Sequence, residues 1–189
     1  MLRSIALIPL LLIMPQGNRP QGTQDEELLK ALPNSRHTLA EGIEQLAKAP
    51  ETPISAKFEL EDGKLSLSVY TAGKGLDVSA ERNVLQEYAG DPATAAWQPK
   101  VEVFDDRQHI ARAAEQLALM TLSPASLLDV LKKAGKAQAG TVYAITPVLR
   151  GRKAQFAVLV AADGRSVELD YDLLTGEPVK VRDADAPRK

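Results

Sequence analysis

Ile54-Ser-Ala-Lys-Phe-Glu-Leu-Glu-Asp-Gly-Lys-Leu-Ser-Leu-Ser-Val-Tyr-Thr71 decides the fold class. Apolar and polar residues alternate on both sides of Asp62-Gly63, the period at which successive side chains leave opposite faces of a strand. Asp-Gly suits the two positive-φ positions of a type I′ turn, so the stretch predicts an antiparallel hairpin with one apolar face. That face needs a cover. Just upstream, Leu39, Ile43, Leu46 and Ala47 recur at helical spacing, Thr38 and Glu41 have capping-box spacing, and Pro50 ends the run.

Working outward, residues 83–88 and 100–104 predict third and fourth strands, separated by a Pro-flanked loop over 89–99 that carries Trp97. Asp105-Asp106 opens a helical stretch with Ile110, Ala113, Ala114, Leu117 and Leu119 on its apolar side. Ser123-Pro124 predicts a fresh helix start, Ser as N-cap and Pro at the first position, with Gly135 as its end. Four more strands follow at 141–149, 153–162, 166–173 and 178–182, punctuated by Arg150-Gly151, Asp163-Gly164 and Thr175-Gly176. Ile43, Leu46 and Ala49 correspond to Leu128, Leu131 and Ala134 at a constant offset, and Glu61-Asp-Gly-Lys64 answers Leu149-Arg-Gly-Arg152. The expected fold is α+β: two tandem α-β-β-β-β repeats, helices packed on one face of antiparallel sheets. Units of ~70 residues bury little core alone, so the halves should pack together.

Composition narrows the chemistry. The 189 residues are 44% hydrophobic and 25% charged with a net charge of −2, so no basic field recruits nucleic acid. Zero cysteines exclude disulfides, thiolate metal sites, a cysteine nucleophile and a lipobox cysteine. His37 and His109 are too few for the usual zinc sets, and no cofactor is expected. Residues 1–14 join a basic start at Arg3 to the apolar run Ile5-Ala-Leu-Ile-Pro-Leu-Leu-Leu-Ile-Met14. The run is shorter than the ~20 residues a membrane helix needs, and a Pro/Gly/Asn break follows it. This predicts a secretory signal peptide over 1–22, no stable membrane span after its removal, and a periplasmic or secreted protein. Pro33-Asn34-Ser35 interrupts any helix that starts near Gln24, so 23–36 reads as a linker. The repeats then occupy 37–106 and 107–182, before a polar tail at 183–189.

At the second repeat, a helix, a hairpin and Ala162-Asp-Gly-Arg-Ser-Val-Glu-Leu-Asp-Tyr-Asp-Leu-Leu-Thr-Gly-Glu-Pro-Val-Lys-Val181 resemble the PepSY domain. Asp172, Thr175 and Gly176 match its Asp-x-x-Thr-Gly turn, while Tyr88-Ala-Gly-Asp-Pro92 in the first repeat is a degenerate copy. The tandem layout also looks like the β-lactamase inhibitor protein. The resemblance implies a noncatalytic binding module of the cell envelope with a protein partner, a module of the kind proposed to restrain peptidases. The alternatives are a self-associating structural envelope protein and a small hydrolase using Asp106 and His109.

Each site-like cluster also has a plain structural reading. Asp105-Asp106-x-x-His109 has an acid/base look, but a helix start explains it, since no nucleophile accompanies it. Glu168, Asp170 and Asp172 share one strand face and could meet a cation, or simply face solvent. Arg150-Gly-Arg-Lys153 is a basic knot in a turn, and Gly73-Lys-Gly75 lacks the rest of a phosphate loop. Trp97, with Tyr88 nearby, is the candidate partner anchor; the competing reading has the indole filling the seam between repeats. Intact-mass measurement of the protein recovered from periplasm or medium should show a chain lacking about 22 N-terminal residues. The full-length mass in the cytosol would refute export.

Overall fold

The computed structural model describes residues 21–183, and each of its tight hairpins has a glycine at one of its two positive-φ positions. Asp62-Gly63 (49° and 76°), Gly151-Arg152 (53° and 70°) and Asp163-Gly164 (51° and 74°) each take the paired left-handed conformation of a type I′ turn. They join β1 (Thr52–Glu61) to β2 (Lys64–Ala72), β5 (Thr141–Arg150) to β6 (Lys153–Ala162), and β6 to β7 (Arg165–Asp172). With β3 (Leu85–Gly90), β4 (Lys100–Val103) and β8 (Pro178–Asp183), they form one eight-stranded sheet in the order β4-β3-β2-β1-β5-β6-β7-β8. Every pairing is antiparallel. Between β7 and β8, Asp172 Oδ1 accepts from the Leu174 and Thr175 N–H groups and the Thr175 hydroxyl, and Gly176 turns at φ 67°.

The sheet is weakest in its middle. β1 and β5 pair only at Ala56↔Ile145 and Lys57↔Ala144, although each strand is ten residues long. A bulge between Pro53 and Ser55 and another between Val142 and Ala144 flank this short ladder, and Pro147 has no N–H to donate.

The described helices are α1 (Gln21–Ala31), α2 (Leu39–Leu46), α3 (Arg107–Met120) and α4 (Leu127–Ala137). Thr38 caps α2 in a capping box with Glu41. The same device starts α4, but with Ser126 and Asp129 in place of the expected Ser123-Pro124. Ser123 instead closes a local turn, its Oγ accepting from the Ala125 N–H and donating to the Ala125 carbonyl. The backbone N–H of Thr38 holds the Glu41 carboxyl below the usual range, and the Ser126 hydroxyl does the same for Asp129.

Ala56, Phe58, Leu67 and Val69 face α2 and α4, with Gly42 set so close to Leu67 that a Cβ there would lie 2.8 Å from Leu67 Cδ2. Their neighbours Ser55, Lys57, Ser68 and Tyr70 point the other way, where α3 lies and Gln116 Oε1 accepts from Ser55 Oγ at 2.8 Å. The expectation that all helices share one face is therefore corrected. β4 ends at the outer edge, and the chain must return to the centre to begin β5. The 14 residues of α3 span ~21 Å, about four strand widths, across the face that α2 leaves open.

A second correction concerns 23–36, expected as a linker. α1 forms there, Leu28 and Leu29 pack half-buried, and Leu32 is 4% exposed. Pro33 falls in the first turn of the 3-10 helix Leu32–Asn34, where its missing N–H costs nothing. The signal-peptide reading falls largely on residues 1–20, outside the described residues, as does 184–189 of the polar tail; Asp183 ends β8.

Two glycines give opposite predictions. Gly135, expected to end α4, lies inside it with nothing within 4 Å of an added Cβ, so Gly135→Ala should raise stability by about 0.5–1 kcal/mol. Gly140 sits at φ +139°, and a Cβ there would lie 2.3 Å from the Ala161 carbonyl oxygen, so Gly140→Ala should cost more than ~2 kcal/mol. Urea denaturation of both variants checks the contrast.

Candidate functional site

Beyond the two-pair ladder, β1 and β5 diverge, and the side chains lining the gap leave a groove of about 730 Å³. Phe58 and Val142 form its floor, Leu39 and Ala40 of α2 one wall, and Leu128 and Leu131 of α4 the other. Leu32 and Pro33 close one end, while Arg36, Glu44, Asp129 and Lys132 set charges of both signs along the rim. A mainly apolar concavity with a few polar groups at its mouth suits a bound side chain or extended segment better than a reacting polar substrate. Nothing local in the sequence marks it, because its walls come from segments almost ninety residues apart.

The acid/base candidates are committed elsewhere. Asp106 caps α3, Oδ1 accepting from the Gln108 and His109 N–H groups, while Oδ2 lies 2.5 Å from His109 Nδ1. The His109 ring, followed by its backbone N–H, holds the Asp106 carboxyl below the ordinary range. Phe104 stacks on that imidazole at 5.2 Å, and Asp105 is exposed beside the cap. The cluster starts a helix and brings no nucleophile with it. His37, by contrast, does line the groove, with its Nε2 2.9 Å from the Thr94 carbonyl.

The three carboxylates on β7 do not act together. Glu168 and Asp170 are 4% and 2% exposed, and both accept from Arg150 Nη1, the Asp170 bond being 3.0 Å. Asp172 is spent on its turn. Arg150 thus supplies the positive charge that a cation would have brought, and leaves Arg152 and Lys153 as the exposed part of the basic knot. Among the described residues, no group of three or more His, Cys, Asp or Glu is placed to hold a metal ion.

Trp97 is 3% exposed, which corrects its reading as a partner anchor. Its Nε1 donates to the Gly90 carbonyl at 3.3 Å, and its own carbonyl accepts from Gln45 Nε2 at 3.1 Å. With the Arg36 N–H donating to the Pro92 carbonyl, these bonds fold the loop after β3 onto the α1–α2 segment. Its partners lie in the first half, so the ring does not fill the seam between halves. Tyr88 is half-buried, and its hydroxyl donates to Glu51 at 3.3 Å. Glu51 also accepts from Thr71 at 2.6 Å and Gln86 at 2.7 Å, a polar hub with no sequence signature. Burial, then the Glu51 charge, pushes the Tyr88 hydroxyl pKa up, so it is a poor acid at neutral pH.

No protein-family model matches the chain, and no curated protein matches it. Among solved structures, the chain is similar to a protein described as a putative lipoprotein from Clostridium difficile 630. Identity is 14%, the match covers 78% of this chain and 93% of that one, and the TM-score is 0.41. No helix among the described residues is long and apolar enough to cross a membrane.

Trp97→Ala should lower stability by about 3–5 kcal/mol, because it removes the indole with its bond to the Gly90 carbonyl and empties a site that the loop cannot collapse into without losing the bond from Gln45 to the residue-97 carbonyl. A thermal or urea unfolding series on this variant measures the loss.

Proposed function

We propose that the chain is a pair of PepSY-like α-β-β-β-β units meeting head to head at the β1/β5 seam, and that it serves as a noncatalytic protein-binding module of the cell envelope. The groove in the splay of that seam carries the reading. An extended apolar segment entering it meets Phe58, Leu128 and Leu131, and also strand edges that do not pair with each other across the gap. The PepSY resemblance adds the class of partner: an envelope enzyme, such as a peptidase, restrained by occupation of the groove.

Several features support the repeat. Strand order runs outward from β1 and from β5 by the same antiparallel steps, and a helix opened by a capping box precedes each of those strands. Both strands carry a bulge near their start and end in a type I′ turn. Export fits the leader-like run at 5–14. The noncatalytic reading follows from how Asp106, His109, Glu168, Asp170 and Asp172 are spent on a cap, ion pairs and a turn.

Ala40→Trp would fill the groove from the half-buried face of α2. Affinity capture from an envelope extract should recover a protein partner with the unaltered chain and lose it with Ala40→Trp, while the melting temperature stays within a few degrees. Equal capture by both proteins would overturn the assignment of the groove.

A further inference from the structure

We propose that β4 is a self-pairing edge, through which two copies of this chain join as an antiparallel two-fold pair centred on Val101. All four residues of Lys100–Val103 are exposed, including Val101 at 54% and Val103 at 56%. The Phe104 N–H donates to the Leu85 carbonyl, which fixes the alternation of the ladder with β3: residues 100, 102 and 104 bond inward. The N–H and C=O groups of Val101 and Val103 therefore point out from the sheet, the template that edge strands present to another chain.

Two antiparallel registers use these groups without drawing in Asp105, which leads directly into the Asp106 cap of α3, and charge distinguishes them. In the register centred on Glu102, each Val101 pairs with the other copy's Val103, but Glu102 faces Glu102. This repeats an unfavourable contact already present, because Glu102 lies directly opposite Glu87 of β3. In the register centred on Val101, the two Val101 residues exchange N–H and C=O, and each Val103 N–H donates to the other copy's Pro99 carbonyl. Lys100 of each copy then faces Glu102 of the other, on the sheet face where Glu87 and Glu102 stand together. Lys100 and Glu102 form no ion pair with any described residue within one copy, so both are available. Pro99 lacks an N–H and keeps the ladder short, and because the two-fold contact uses the same edge of both copies it closes on itself without growth into a filament. β4 is separated from β1 by β3 and β2, so the pair extends the sheet at its edge while leaving the groove at the β1/β5 seam open.

Sedimentation equilibrium of the full chain, at concentrations up to about 0.5 mM to suit a small interface, tests the pairing. The unaltered chain should show a monomer–dimer equilibrium that weakens with added salt. Lys100→Glu alone and Glu102→Lys alone should each raise the dimer Kd at least about tenfold, since each sets like charges opposite one another twice. Mixing these two variants should restore a dimer, and the double variant K100E/E102K should dimerise by itself. Both positions are exposed, so circular dichroism should report unchanged folding. A monomer at every concentration, oligomers that grow beyond the dimer, or single variants that dimerise like the unaltered chain would each overturn the proposal.

Discussion

The two-pair ladder between β1 and β5 is the constraint on which the rest of the structure depends. Four strands lie on each side of it, yet main-chain pairing across it is limited to Ala56↔Ile145 and Lys57↔Ala144. So few hydrogen bonds, each contributing ~1 kcal/mol net, do not hold two half-sheets in one orientation. Side chains supply the rest. Ala56 and Ile145 are almost fully buried, α2 meets α4 above them, and α3 crosses beneath with Gln116 bound to Ser55. The seam is closed by packing on both faces, and it opens into a groove just where a bulge ends the ladder.

This arrangement explains why the floor and walls of the groove are apolar, with the charged Arg36, Glu44, Asp129 and Lys132 along its rim. A surface built to fuse two apolar layers is lined with Leu, Phe, Val and Ala. The buried charges Glu168 and Asp170 instead sit on the opposite sheet face of the second half, neutralised by Arg150. Glu51, with its Thr71, Gln86 and Tyr88 donors, does comparable work in the first half, tying the start of β1 to β2 and β3. Loss of Arg150 would strand two buried carboxylates in a desolvated place, whereas half-buried Glu51 keeps other donors when one is removed.

Much of the fold was legible in the sequence because its determinants are local. The alternation around Asp62-Gly63, the Thr38/Glu41 box and the Asp172–Gly176 turn each act within a few residues, and each forms as its chemistry requires. The failures have a common physical origin in tertiary context. Pro33 looked like the end of order, but it lies in a 3-10 turn that carries Leu32 into the core. Ser123-Pro124 looked like a helix start, but Ser126 and Asp129 make the reciprocal cap. The side taken by α3 depends on a crossover from edge to centre that no periodicity records. Trp97 had the composition of an anchor and the location of a plug, because the partners that bury it, Gly90 and Gln45, come from β3 and α2. The groove was invisible for the same reason: it exists only once β1 meets β5.

If packing across the seam makes one cooperative unit, the two halves cannot unfold separately. Trp97 is the only tryptophan and lies in the first half, whereas far-UV circular dichroism reports on both. Urea unfolding followed by Trp97 fluorescence and by circular dichroism should give coincident transitions with one midpoint and one slope. A fluorescence transition separated from the dichroism transition would show halves that fold independently, and would contradict a groove built by their fusion.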